Sequence, residues 1–82
     1  MTELAERLVA ARSHAGFATA QAAADALGVK YPTYAGHENG SSGFRAATGA
    51  VYARKFKVSC EWLMSGRGSM LPEPMVSEAL EV

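Results

Sequence analysis

With 82 residues, the chain has room for one domain and one modest core, because chains this short bury only about 60% of the surface exposed when unfolded. Nearly half of the residues are apolar, with alanine prominent among them; together with Leu, Arg, Glu and Gln this favours helix, and the β-branched and aromatic runs that strands require are missing. The formal net charge is zero and Cys60 is the single cysteine, which excludes an internal disulfide framework and a Cys-based zinc site.

Every apolar stretch is broken by charge well before about 18 residues, and the N-terminus lacks a basic-then-apolar secretory pattern. The expectation is a cytoplasmic protein with no membrane partner. The charges are unevenly spread. All eight bases and five of the acids fall in residues 1–68, a formal +3, while Glu73, Glu78 and Glu81 give the remainder −3. A mildly basic body with an acidic tail is compatible with a polyanionic partner without demanding one.

Residues 2–14 read as a first helix, with Thr2 as N-cap, Glu3 in the first turn, and an apolar face of Leu4, Leu8, Ala11 and Ala15. Glu6, Arg7 and Ser13 lie off that face, and Gly16 stops the helix. Thr19 caps a second helix, Ala20 to Leu27, whose stripe of Ala23, Ala24 and Leu27 lets a neighbour pack close before Gly28 ends it. Pro32 suits the first turn of a third helix that runs to about Glu38, where Asn39-Gly40 terminates it. Ser41 to Phe44 reads as loop.

A fourth helix, from about Arg45 to Phe56, has Ala47, Ala50, Val51 and Phe56 as its expected inner face. Ser59 caps a short fifth helix with Glu61 in its first turn and Trp62 and Leu63 turned inward; Cys60 is expected to be buried beside them, and Gly66-Arg67-Gly68 closes the helix. Pro72 and Pro74 mark a linker, and 76–82 is too short to be a stable helix alone. This divides the chain into a domain over 1–68 and an acidic tail or linker over 69–82. In that tail Met70, Leu71 and Met75 fit either a linker or an adhesive strip for a partner subunit.

The informative unit is helix, Gly-containing turn, helix across 19–38. Two helices of about two turns each, broken at Leu27-Gly28-Val29, have the proportions of a helix-turn-helix, in which the second member enters the DNA major groove.

Ala23-Ala24, Leu27-Gly28-Val29, Thr33-Tyr34, His37-Glu38-Asn39-Gly40 and the run Phe56-x-Val58-Ser59-x-x-Trp62-Leu63-x-x-Gly66-x-Gly68 together closely resemble the Cro and phage-repressor-like (XRE) family of bacterial and phage regulators. The resemblance covers residues 3–68. It implies an all-α, compact five-helix, lambda-repressor-like bundle that acts as a homodimer on double-stranded DNA with two-fold symmetry. It also implies a nucleoid-associated protein with no cofactor and no enzymatic activity.

Carried over residue by residue, the resemblance aligns the reading helix with Lys30 to His37. Lys30, Tyr31, Pro32 and Thr33 then approach bases and phosphates, Ala35 and Gly36 take the outward face one turn on, and Tyr34 falls on a buried position. Asn39 matches a phosphate-touching position, and Arg45 is the nearest basic candidate beyond the loop. Arg12 and Glu38 match a structural salt bridge between the first and third helices. The family often has Gln at the start of its second helix and on its reading helix; here those places hold Thr19 or Ala20, then Tyr31, Pro32 and Gly36, with Gln21 one position late. Specificity therefore falls to the Tyr31 hydroxyl, Lys30, methyl contacts from Thr33 or Ala35, and DNA shape.

Other features read more plainly. His14 and His37 have no partners at metal-ligand spacing, the serines lack a nucleophile elbow, and Gly66-x-Gly68 follows a helix instead of a strand. Arg54, Lys55 and Lys57 read as complements of a helix C-terminus that face solvent, in preference to a DNA contact. The sequence thus points to a DNA-binding transcriptional repressor. The alternatives are an antitoxin-type autoregulator that also holds a toxin through its 69–82 tail, and a protein-interaction module that has lost DNA binding.

Overall fold

The computed structural model describes residues 3–71, with the side chain of Glu3 left aside. Five helices follow one another: α1 Glu3–His14, α2 Ala20–Leu27, α3 Tyr31–Asn39, α4 Ala46–Phe56 and α5 Cys60–Ser65. No strand occurs among the described residues, so the fold is an all-α bundle. The expected cap at Thr2 lies outside the described residues.

Most helix ends are set by local chemistry. Thr19 accepts a hydrogen bond from Ala22 N at the start of α2, and Ser59 accepts one from Trp62 N at the start of α5, each satisfying a donor that has no partner within the helix. Gly28 stops α2 at φ 73°, and its N–H together with that of Val29 closes onto the carbonyls of Ala24 and Asp25. A side chain at this left-handed φ is strained, which is why glycine stands there. Lys57 occupies the same conformation at the end of α4, φ 61°, without glycine's freedom, at a cost of about 1 kcal/mol.

The core is organised around α1, which packs against α3, α4 and α5, while α2 lies on α3 and α4 on α5. Leu8, Ala11, Tyr34, Phe56 and Leu63 have no exposed surface; each large apolar side chain among them contributes roughly 1.5–3 kcal/mol by burial. Met70 packs onto this core, and its carbonyl accepts a bond from Ser59 N at 2.7 Å, so packing continues past residue 68.

The sequence reading of α4 is corrected. Ala47 and Val51 are exposed and Ala50 is half-buried, whereas Gly49, Tyr52, Ala53 and Phe56 are buried. In an alanine-rich helix the apolar pattern is nearly flat, and the two large rings together with the glycine decide which stripe faces inward. Gly49 matters because a Cβ there would overlap Met64 Sδ on α5. Cys60 is exposed and not buried: it is the first residue of α5.

Two arginines of α1 tie the bundle together. Arg7, read from sequence as lying off the apolar face, is half-buried and donates from Nε to Leu63 O (2.8 Å) and from Nη2 to Met64 O (3.1 Å), capping the end of α5. Arg12 donates from Nε to Glu38 Oε2 at 2.6 Å and from Nη1 to Phe17 O at 2.8 Å. The two side chains of the Arg12–Glu38 pair are only 12% and 10% exposed. Removing one member strands a nearly buried charge, so Arg12→Ala is expected to destabilise the fold by about 3 kcal/mol, whereas Arg12→Met with Glu38→Leu recovers most of that loss, both measured by urea denaturation.

A second prediction concerns Tyr34, whose hydroxyl is buried without a hydrogen-bond partner. Burial above all, and then the neighbouring Glu38 carboxylate, push its pKa well above 10.0 and keep the phenol protonated. Because an unmade buried hydrogen bond costs free energy, Tyr34→Phe is expected to raise stability by about 1 kcal/mol in the same assay.

Candidate functional site

Three residues, Gly28 to Lys30, link α2 to α3, and the two helices pack against each other. α3 is fixed from behind. Tyr34 is fully buried against the core with its ring edge-on to Tyr52, centroids 5.5 Å apart, and Glu38 four residues on holds Arg12. What α3 leaves outside is its first turn. Lys30, Tyr31, Pro32 and Thr33 are all exposed, Tyr31 by 45%.

This end of α3 favours anions. Lys30 at the N-cap makes no side-chain cap, and no acidic residue stands in the first turn. The N–H groups of Tyr31 and Thr33 belong to the set with no partner inside the helix, and they carry the positive end of the helix dipole. α4 begins in the same way, with Arg45 at its N-cap, no side-chain cap and no acid in its first turn. Arg45 follows Phe44, whose ring packs on His37 at 5.1 Å, so Arg45 sits by the last turn of α3 and Lys30 at its first. The nine residues of α3 run on the order of 13 Å between the two ends.

The other residues singled out from sequence divide. Thr19 is exposed but its hydroxyl oxygen is engaged as the α2 cap, leaving the O–H free to donate. Gln21 is exposed and donates to Asp25 Oδ1 at 2.9 Å along the same helix. Asn39 is exposed and accepts from Ser41 N through Oδ1 at 2.9 Å, which directs its amide nitrogen away from that turn. Ala35 and Gly36, expected on an outward face, are both half-buried. The 41–42 loop folds back over Gly36, with Ser42 N donating to Gly36 O at 3.1 Å and Ser41 Oγ 3.4 Å from where a Cβ would stand. Glycine lets the loop approach and offers no side chain of its own.

Behind the loop lies an arrangement that the sequence did not disclose. His37 Nδ1 and Tyr52 Oη share a hydrogen bond of 2.8 Å, and the rings of His37, Phe44 and Tyr52 pack within 5.1 to 5.8 Å of one another. Burial pushes the His37 pKa down from 6.5 and the Tyr52 pKa up from 10.0. The cluster therefore holds a neutral imidazole and a protonated phenol, and it anchors the end of α3 to α4. No signal in the sequence links residues 37, 44 and 52, since the contact depends on the inward stripe of α4. No group of His, Cys, Asp and Glu able to hold a metal ion occurs among the described residues, and no described helix is long and apolar enough to cross a membrane.

In comparisons with known proteins, no family model, curated protein or solved structure matches the chain.

The His37 cluster gives the fold a definite pH response. With its folded pKa below 6.5, the unfolded chain takes up this proton first as pH falls, so the neutral ring's contribution is complete above 6.5 and is lost as pH drops through the lowered folded value. Melting temperature is expected to fall between about pH 7 and about pH 5, and His37→Gln, which cannot titrate, is expected to flatten that slope. An unchanged slope in the variant would rule His37 out as its source.

Proposed function

We propose that this chain is a sequence-specific DNA-binding transcriptional regulator, a repressor of the Cro and phage-repressor-like kind, with α2 and α3 as its helix-turn-helix and α3 as the reading helix. The observation that carries the reading is the exposed first turn of α3: Lys30, Tyr31, Pro32 and Thr33 stand free on a helix whose opposite face is locked by Tyr34 and Glu38. A short helix with one rigidly held face and one bare basic end suits insertion into a major groove.

In this mechanism phosphates are engaged by Lys30, Arg45, the uncapped N–H groups of α3 and α4, the Thr19 hydroxyl and the Asn39 amide. Base edges are read by the Tyr31 hydroxyl, and the Thr33 methyl contacts thymine methyl groups. Gly36 offers no side chain, and the half-buried Ala35 methyl is a further candidate for contact with a thymine methyl group. The protein acts as a homodimer on a two-fold symmetric operator and represses by occupying it, with no catalytic step.

A second reading, a protein-interaction module that has lost DNA binding, is favoured by the formal net charge of zero and by the tie between Gln21 and Asp25, which occupies a side chain that would otherwise reach a phosphate. The antitoxin variant adds a protein partner on 69–82, of which 72–82 lie outside the described residues.

Selection of bound duplexes from a random-sequence pool distinguishes these readings. A two-fold symmetric site is expected to be enriched, with affinity falling as salt rises. The Lys30→Glu, Tyr31→Ala double variant is expected to lose that site with its helical circular dichroism unchanged. If nothing is enriched even at low salt, where phosphate contacts are strongest, the DNA-reading proposal fails.

A further inference from the structure

An open groove runs between the end of α2 and the outer side of α4, lined by Ala26, Leu27, Val51, Arg54, Lys55 and Lys57. Its floor is apolar. Leu27 is half-buried, and Val51 is 47% exposed, one of the few large hydrophobic side chains left uncovered. Its rim is cationic, with three bases within four consecutive residues, all exposed and none in an ion pair with another described residue. Lys57 keeps its charge at a backbone position, φ 61°, where glycine would be the relaxed choice.

The sequence that follows the described residues complements this groove in both respects. Residues 72–82 carry Glu73, Glu78 and Glu81, no base, and the apolar side chains Met75, Val76, Leu80 and Val82. They also start beside it. Met70 O is held by Ser59 N at 2.7 Å, and Ser59 is two residues from Lys57 on the rim, at most about 8 Å along the backbone. Eleven residues span up to roughly 36 Å when extended, so the reach is ample. A segment tethered this close meets the groove at millimolar effective concentration, where weak contacts suffice.

We propose that residues 72–82 dock in cis onto the α2–α4 groove, setting Glu78 and Glu81 against Arg54, Lys55 and Lys57 and an apolar side chain over Leu27 and Val51. The tail thereby neutralises the basic body from within, and the docking weakens as salt screens it. This inference rests on the groove and the charges and stands independently of DNA binding.

The test uses the full chain, ¹⁵N-labelled, with a nitroxide attached at Val82→Cys in a Cys60→Ser background. At low salt the amides of Leu27, Val51 and Arg54 are expected to lose most of their intensity to paramagnetic relaxation and to recover it at high salt. Arg54→Glu with Lys55→Glu is expected to abolish the effect, and adding Glu78→Lys with Glu81→Lys is expected to restore it, which a merely structural role for these residues would not do. The amide spectrum itself reports that each variant is folded. Relaxation spread evenly over the surface, failure of the charge swap to restore it, or relaxation that reaches groove amides only in a mixture of ¹⁵N chains and separate spin-labelled chains would each overturn docking in cis, the last by assigning the groove to a second copy.

Discussion

The Arg12 guanidinium is the interaction on which the exposed end of α3 depends. One of its N–H groups goes to Glu38 on α3 and another to the carbonyl of Phe17, where the chain has left α1 and is heading for α2. A planar fork of fixed geometry that binds both sites at once sets how α3 is rolled about its axis and how the preceding turn approaches it. At nine residues, α3 is too short to hold a helical shape alone in water. Its first turn is presented outward because its other side is committed, through Tyr34 and Glu38, to α1 and the core.

The parts of this architecture legible in the sequence were those that local chemistry decides. Thr19 and Ser59 announce helix starts because their side chains have no better use than capping, and Gly28, Gly40 and Gly66 announce stops because all three sit at positive φ. The Arg12–Glu38 pair was reached through family resemblance, and its geometry is present here. What could not be read was orientation. α4 has alanines on nearly every side, so counting apolar residues pointed to Ala47 and Val51, while the stripe that packs is chosen by Tyr52 and Phe56 and by the clearance Gly49 gives Met64. The same ambiguity hid the His37–Tyr52 bond and the half-buried role of Arg7, both of which need the third dimension. Cys60 is exposed despite its apolar neighbours in sequence, because it stands at the very start of α5.

A formal net charge of zero is a poor guide to a surface organised like this one. Charges separated by more than about 8 Å are largely screened at physiological salt, so an incoming partner responds to patches and hardly at all to the sum. Lys30 and Arg45 bracket α3 at acid-free helix starts, while Arg54, Lys55 and Lys57 gather at the far end of α4. The carboxylates that balance them in the total are mostly elsewhere along the chain, three of them in the last ten residues.

The contact between Arg7 and the end of α5 spans 56 residues of sequence. A ribosome makes protein from the N-terminus at about 5–20 residues per second, so α1 is made before α5, and the Arg7 acceptors Leu63 and Met64 follow it by several seconds. Until then α1 lacks its last helical neighbour, α5. The bundle closes only when synthesis has passed these residues, and a chain cut short before Leu63 keeps the α3 and α4 sides of α1 but not its α5 side.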